Sequence, residues 1–224
     1  MSVLLQHNPK KKTAVIYDSI DNLIKKFYLV ASRNNNRKIK NELKGFNWYL
    51  RRLKKFNKSN SILIQKNNNG YSCTTIKGRK YKYSENFFYK KKLINNVIQH
   101  YKNIWPRNRF VPYHGDLTLD NILFIYDRPI FIDWEDFKKK EIWGLDLCHF
   151  IISLIILPVI SRRKKKIDKK NIELFSQIWK KTFKKKSFPL KKIIEYLKKI
   201  KLKENNFLHK VNKKILNQII ESIN

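Results

Sequence analysis

Runs of β-forming residues separated by polar breaks in the first third of the chain predict two β-hairpins with one helix between them. Residues 13–30 form two β-rich runs around a polar break at 18–22, a pattern typical of a hairpin, and a short strand at 3–6 precedes them. The second hairpin turns at 67–70, where Asn and Gly tolerate positive φ. Between the hairpins, apolar residues at steps of three and four predict one helical stripe: Ile39, Leu43, Phe46, Leu50 and Leu53.

Helical spacing dominates the remainder of the chain. A helix capped by Ser84 is expected to end before Pro106, and two strand-like runs at 122–126 and 129–132 follow. The apolar run 145–157 predicts a buried helix. The Lys-rich end of the chain carries three further stripes at helical spacing, which are Leu174/Ile178, Ile193/Leu197/Ile200 and Leu208/Val211/Ile215/Ile219. Strands first and helices afterwards predict an α+β architecture in two lobes, with a boundary near Lys77.

Length and composition allow one compact folding unit. The chain has 224 residues, and its 42% apolar and 13% aromatic residues can fill a core even though 30% of the residues are charged. The longest apolar run, 150–160, is shorter than the roughly 20 residues that a membrane-spanning helix needs. The start of the chain has no apolar run of signal-peptide length, and the two cysteines form no disulfide framework or zinc motif. These features predict a cytoplasmic protein without a transmembrane segment.

The net charge of +34 has a simple source in residue usage. The chain contains 41 Lys, 24 Asn and 30 Ile but only 2 Ala, 5 Gly and 6 Pro, which separates residues with A/T-rich codons from those with G/C-rich codons. Lys also outnumbers Arg about fourfold, although Arg is the preferred side chain for phosphate and base recognition. A base-composition bias therefore explains most of the charge, and no specific nucleic-acid partner is predicted.

Acidic residues concentrate in one part of this basic chain. Eight of the 17 Asp and Glu residues lie between Asp116 and Asp146, where only four Lys and Arg residues occur. A divalent cation is the simplest reason for such a segment, because Mg²⁺ takes one or two carboxylates together with phosphate oxygens. A solvated acidic loop that balances basic neighbours is the alternative.

The order of residues within this segment points to phosphoryl transfer. Asp116 lies five residues before Asn121, and Asp133 follows an apolar strand just after a turn. A loop with a carboxylate and an amide, followed by a hairpin that returns a second carboxylate, is the layout of such sites. The runs HGDLTLDNIL at 114–123 and IDWE at 132–135 closely resemble the aminoglycoside phosphotransferase and choline kinase superfamily, which are small-molecule relatives of protein kinases.

The resemblance implies a role for each residue of the motif. Asp116 orients and activates the acceptor hydroxyl, Asn121 and Asp133 hold Mg²⁺, and His114 braces the loop. Asp146, at the start of an apolar helix, resembles the structural Asp that ties this helix to the catalytic loop. The implied fold is protein-kinase-like, with a nucleotide-binding lobe at 1–77 and a catalytic and acceptor-binding lobe at 78–224.

The resemblance also suggests a nucleotide site in the N-terminal half. Lys25 follows two apolar residues, as the phosphate-gripping Lys of the family does, and Lys26 remains a competitor. Glu42 lies 17 residues after Lys25 and is the expected ion-pair partner. Thr75 and Lys77 fall where the family's hinge offers backbone groups to adenine.

The sequence thus predicts a phosphotransferase that moves the γ-phosphoryl group of ATP, or of another nucleoside triphosphate, to a hydroxyl of a small molecule. Residues 151–224 hold five acids against 21 Lys and Arg, a net +16, which favours a neutral or anionic acceptor. A catalytically silent kinase-like fold that binds nucleic acid or anionic lipid is the alternative, since no Gly precedes Gly45 to build a phosphate loop. Protein-kinase activity is disfavoured because no activation segment follows Asp133.

Overall fold

The structure is a computed structural model. It describes residues 2–8, 13–18, 23–28, 33–55, 62–67, 70–76, 78–81, 90–162, 166–183, 189–200 and 207–223. The statements below concern these residues.

The first strands form one antiparallel sheet of five strands in the order β1-β2-β3-β5-β4. Both predicted hairpins are confirmed, because β2 pairs with β3 from Asp18↔Leu23 outward and β4 pairs with β5 from Asn67↔Gly70 outward. Pairing of β3 with β5 joins the two hairpins. The strand bounds are β1 Ser2–Asn8, β2 Thr13–Asp18, β3 Leu23–Tyr28, β4 Ile62–Asn67 and β5 Gly70–Ile76.

Helix α1, Arg33–Lys55, is the predicted amphipathic helix, but its buried face is rotated from the predicted stripe. Ile39, Phe46 and Leu53 are buried as expected. Glu42 and Tyr49 complete the buried face, whereas Leu43 and Leu50 are only half-buried. Residues three and four apart share a face, so a stripe drawn through Ile, Leu and Phe residues alone misses a buried carboxylate and a buried phenol.

The middle of the chain contains a second helix and four short strands. These are α2 Lys91–Ile104, β6 Phe110–Tyr113, β7 Ile122–Ile125, β8 Arg128–Phe131 and β9 Lys138–Ile142. The β7–β8 hairpin matches the predicted strands, and its turn residues Tyr126 and Asp127 have positive φ. The β6–β9 pair was not predicted, because three consecutive exposed lysines in β9 give no alternation.

The remaining helices are α3 Leu145–Ser161, α4 Lys169–Phe183, α5 Leu190–Ile200, α6 Phe207–Lys210 and α7 Lys213–Glu221. Helix α3 is buried on nearly all sides, as its continuous apolar sequence predicts. Helices α5 and α7 each bury one stripe, including Ile193, Leu197, Ile215 and Ile219. Their lysines are exposed except for Lys198, which is half-buried. None of the described helices combines the length and apolar character that a membrane crossing requires.

The chain divides into two compact units. Unit 1 comprises Met1–Lys80, Lys102–Asp116 and Asn121–Trp143, and unit 2 comprises Tyr81–Tyr101, Leu117–Asp120 and Gly144–Asn224. The mixture of helices with small antiparallel sheets agrees with the predicted α+β class. The functional division into lobes at 1–77 and 78–224 stays a prediction.

Candidate active site

The predicted catalytic loop begins with a turn that only glycine fits. Gly115 has φ 93°, and a Cβ atom at this position would lie 2.3 Å from the Asp136 carbonyl oxygen. The left-handed conformation and the close backbone approach both exclude larger residues. The loop is therefore pressed against the segment that follows Asp133.

His114 joins this turn to the end of β8. The side chain is fully buried, and its Nδ1 atom accepts a hydrogen bond from the Asp116 backbone N–H at 3.3 Å. The Nε2 atom lies 2.9 Å from the Ile132 carbonyl oxygen. Because Nδ1 accepts, the proton lies on Nε2 and is donated to Ile132, so the ring is neutral. His114 thus acts in this structure as a brace of the loop, with both ring nitrogens engaged by the backbone.

Asp116 and Asn121 form a hydrogen-bonded pair across the loop. The Asn121 Nδ2 atom donates to the Asp116 carbonyl oxygen at 2.7 Å and to Asp116 Oδ2 at 3.0 Å. These bonds orient the amide so that its Oδ1 atom points away from Asp116 as an acceptor. Asn121 is buried and Asp116 is half-exposed, so the carboxylate is held in place and remains accessible.

The backbone of Asn121 is hydrogen-bonded to that of Ile132, the residue before Asp133. The Ile132 N–H donates to the Asn121 carbonyl oxygen at 3.0 Å, which continues the β7–β8 pairing up to the residue before Asp133. Asp133 has φ 63°, a left-handed conformation that is costly for a residue other than glycine. An amide oxygen from Asn121 and a carboxylate from Asp133 are hard oxygen donors of the kind that Mg²⁺ prefers, so these residues fit the predicted ion.

A second group of carboxylates surrounds Asp133. One carboxylate oxygen each of Glu42, Asp133 and Glu135 lies within 4.8 Å of the other two. Lys38 partly balances this negative charge through an ion pair with Glu135 at 3.1 Å, and Asn41 Nδ2 donates to the Glu135 carbonyl oxygen at 3.1 Å. Helix α1 therefore presents Lys38, Asn41 and Glu42 on one face to the segment 133–135.

Trp134 fixes the distance between this segment and α1. The indole is fully buried and donates from Nε1 to the Phe131 carbonyl oxygen at 3.1 Å. A Cβ atom on Gly45 of α1 would lie 2.7 Å from Trp134, so glycine is required for this approach. The ring stacks on Trp105 at 6.0 Å and contacts His114 at 4.3 Å between ring centroids. One aromatic core thus supports both the loop histidine and the helix that carries Glu42.

Burial holds Tyr49 of unit 1, and Tyr101 and Cys148 of unit 2, in their neutral forms. The pKa of Tyr49 is raised strongly by burial, and its oxygen accepts a hydrogen bond from the Phe131 N–H at 3.2 Å. Burial raises the pKa of Tyr101 and that of the Cys148 thiol, and the nearby Asp146 carboxylate raises both further. These groups are structural members of the core at neutral pH.

The predicted nucleotide-binding residues are described only in part. Lys25 lies in β3 opposite Ile16 and Thr74, and Thr75 lies in β5 opposite Ile24 and Ile62. Lys77 lies outside the described residues. Glu42 is buried beside Asp133 and Glu135, and its predicted pairing with Lys25 stays a prediction.

Two polar side chains that the sequence does not single out contact residues of the two motif runs, 114–123 and 132–135. Lys38 was unremarkable among 41 lysines, and only its spacing of four from Glu42 on the predicted helix could have placed it on the same face. His149 in α3 is fully buried, and its Nδ1 atom lies 3.2 Å from the carbonyl oxygen of Leu117 in the loop. The predicted structural residue at this helix was Asp146, which is also buried.

Two solved structures of aminoglycoside phosphotransferases resemble this chain. The streptomycin–ATP–APH(2″)-IIa ternary complex is 10% identical over 98% of this chain and 93% of that chain, with a TM-score of 0.51. The ADP-bound APH(2″)-Ib structure is 11% identical over 98% of this chain and 94% of that chain. Its TM-score of 0.40 is low, so the fold comparison rests on the first structure. No protein-family model and no curated protein matches the sequence. The predicted superfamily resemblance is therefore confirmed as a likeness of fold.

Proposed function

We propose that this protein is a kinase-like phosphotransferase that transfers the γ-phosphoryl group of ATP to a hydroxyl group of a small molecule. The observation that carries the proposal is the Asp116–Asn121 pair, in which an accessible carboxylate is oriented by an amide and by a loop braced through His114. The fold likeness to an ATP-bound phosphotransferase supports it. We further propose the two-lobed kinase arrangement that this fold implies.

In the proposed reaction, Asp116 accepts the proton of the acceptor hydroxyl as the acceptor oxygen bonds to phosphorus. The bond from phosphorus to the β-phosphate oxygen breaks, and ADP leaves. Asn121 and Asp133 are the residues that would hold Mg²⁺. When bound, the ion supplies charge neutralisation on the transferring phosphoryl group. His114 remains neutral and keeps the loop in position.

For the nucleotide, we propose that Lys25 grips the phosphates and that the strand containing Thr75, with Lys77 after it, offers backbone groups to the base. The position of Glu42 beside Asp133 supports a nucleotide site in unit 1, because Lys25, Thr75 and Glu42 all belong to that unit.

We propose a neutral or anionic acceptor. The net charge of +16 over 151–224 disfavours a polycation such as an aminoglycoside, which needs several carboxylates to pair its ammonium groups. Glu135, Asp136 and Glu141 are candidates for a small subsite that binds the cation of an amino alcohol, but Glu135 pairs with Lys38 and Glu141 pairs with Lys138. The cytoplasmic location stays a prediction.

The test is a screen for ATP consumption over sugars, phosphosugars, nucleosides, amino alcohols and aminoglycosides, with phosphorus NMR of any product. ADP formation that needs a neutral or anionic acceptor and disappears in Asp116→Asn supports the proposal. Failure of every acceptor to raise ADP formation above the Asp116→Asn background would favour the catalytically silent alternative. Phosphorylation of an aminoglycoside would overturn the proposed acceptor class and leave the reaction type intact.

A further inference from the structure

A groove with a cationic wall lies on unit 1, on a part of α1 that the proposed active site does not use. Its volume is about 690 Å³, within the range of small-ligand pockets of roughly 300–1,000 Å³. Lys44, Arg51 and Lys54 line it from three different turns of α1, and Lys139 lines it from β9. The positions 44, 51 and 54 are spaced by seven and three residues, so they share one helix face.

The fraction of Lys and Arg residues in the lining of this groove is higher than in the whole chain. Four of the nine lining residues are Lys or Arg and none is acidic, whereas Lys and Arg make up 51 of all 224 residues. Among the described residues, none of the four forms an ion pair with a carboxylate, in contrast to Lys38. Solvent or a bound anion must therefore reduce the electrostatic repulsion among these four cations.

Lys139 lines the groove, whereas its two neighbours in β9 lie over aromatic rings. Its neighbour Lys138 lies over the Tyr113 ring at 5.7 Å and pairs with Glu141 at 3.3 Å. Lys140 lies over the Phe110 ring at 5.0 Å. Lys139 lies between them, at a shift in the register of β9 against β6, and lines the groove instead.

The floor of the groove is apolar and firmly supported. Phe137 is buried, and Trp48 is half-buried with its ring edge-on to Trp105 at 4.8 Å. Trp48 also contacts Trp134 at 6.1 Å between ring centroids. A cationic wall beside an aromatic floor suits a ligand with both an anionic and an organic part, and the volume exceeds what a single phosphate fills.

We propose that this groove binds a small organic molecule carrying two or more phosphoryl groups. The phosphoryl groups contact Lys44, Arg51, Lys54 and Lys139, and the organic part lies on Trp48 and Phe137. Nucleotides and sugar bisphosphates share this chemistry, and the experiment separates them. The proposal concerns binding alone and does not depend on phosphotransferase activity.

Calorimetry at near-physiological salt tests the groove with adenosine bisphosphate, fructose bisphosphate and inorganic tripolyphosphate as probes. One of the two organic bisphosphates is expected to bind more tightly than tripolyphosphate, because only the organic probes use the floor. The double variant Arg51→Gln with Lys54→Gln is expected to weaken that binding by about tenfold or more. The control, Lys191→Gln with Lys192→Gln on exposed positions of α5, removes the same charge and should change affinity less than about twofold.

A second variant locates the ligand without changing charge. Asn47 is an exposed α1 residue that lines the groove, so Asn47→Trp fills the groove and should lower the affinity for the organic probe about tenfold or more. Thermal unfolding of each variant verifies that it folds. Absence of binding by both organic probes, tripolyphosphate binding as tight as theirs, equal losses in groove and control variants, or unchanged binding in Asn47→Trp would each overturn the proposal.

Discussion

Polar and charged side chains have different surroundings in the segment 114–137 and in the helices α4 to α7. In the segment, His114, Asn121 and Glu135 are buried, and each has a specific hydrogen-bond or ion-pair partner. In α4 to α7, lysines such as Lys180 and Lys191 lie exposed on the outer faces of amphipathic helices. Polar groups in the first region fix a geometry, whereas these lysines face water.

If the proposed function is correct, this difference separates charged residues that serve the reaction from charged residues that reflect the composition of the chain. A substitution in the segment changes the position of a reacting group or leaves a buried partner unsatisfied. A substitution of an exposed helical lysine changes little, because surface substitutions are usually worth less than about 0.5 kcal/mol. Matched substitutions in the two regions test this contrast.

The largest expected contrast is in turnover. Asp116→Asn keeps an acceptor for the Asn121 amide but cannot take a proton, so turnover should fall about a hundredfold or more. Glu195→Gln on the exposed face of α5 also removes one negative charge and should leave turnover within about twofold. Steady-state ADP formation with the acceptor found in the screen measures both. Full activity in Asp116→Asn contradicts the role assigned to this carboxylate.

The next contrast is in the free energy of unfolding. Gly115→Ala forces a Cβ atom against the Asp136 backbone at φ 93°, and should lower stability by about 2 kcal/mol or more. Lys199→Ala at an exposed position of α5 should stay within about 0.5 kcal/mol of the wild type. Urea denaturation gives both values, and a Gly115→Ala protein as stable as the Lys199→Ala protein would rule out the tight turn.

Adjacent lysines in β3 provide a contrast within one strand. Successive residues of a β-strand alternate between its two faces, so only one of two adjacent lysines in β3 is expected to contact a nucleotide. Lys25→Met should weaken nucleotide binding by about tenfold, equal to about 1.4 kcal/mol, whereas Lys26→Met should leave it unchanged. Fluorescence titration with a labelled nucleotide measures the affinity. The opposite result would assign the phosphate contact to Lys26.

The smallest contrast compares two ion pairs of the acidic segment. Lys38 and its partner Glu135 have side-chain exposures of 22% and 9%, whereas those of Lys138 and Glu141 are 44% and 12%. Lys38→Met leaves the Glu42, Asp133 and Glu135 carboxylates without this cation, and should cost about 1 kcal/mol of stability. Lys138→Met should cost less than about 0.5 kcal/mol. Equal costs, measured by urea denaturation, would show that the cluster needs no compensation from Lys38.

Much of the fold follows from local patterns in the sequence. The hairpins of β2–β3, β4–β5 and β7–β8 have turn residues that suit them, and the buried helix α3 has a continuous apolar run. The β6–β9 pairing joins residues about thirty positions apart through exposed lysines, so no local pattern indicates it. In α1, the burial of Glu42 and Tyr49 depends on partners in 131–135 that come much later in the chain.

The site was predictable to the extent that its residues lie close together in sequence. The Asp116–Asn121 pair is separated by five residues, and the structure brings the two side chains together. The sequence predicts Lys25 as the partner of Glu42. In the structure Glu42 lies close to Asp133 and Glu135, a long-range contact that spacing in the sequence cannot reveal. The close packing of Trp134 against Gly45 is also a long-range contact. Gly45 is needed because the Trp134 ring leaves no room for a Cβ atom, and the local sequence around Gly45 does not indicate this.

Calorimetric titration of MgATP into the wild type, Asp116→Asn and Asp133→Ala tests the central claim most directly, because it separates the roles of the two carboxylates without requiring the acceptor. The account predicts that the wild type and Asp116→Asn bind MgATP with similar affinity, and that Asp133→Ala loses the part of the affinity that depends on Mg²⁺. A wild type that does not bind MgATP, or an Asp133→Ala protein that binds it as tightly as the wild type, would contradict the account.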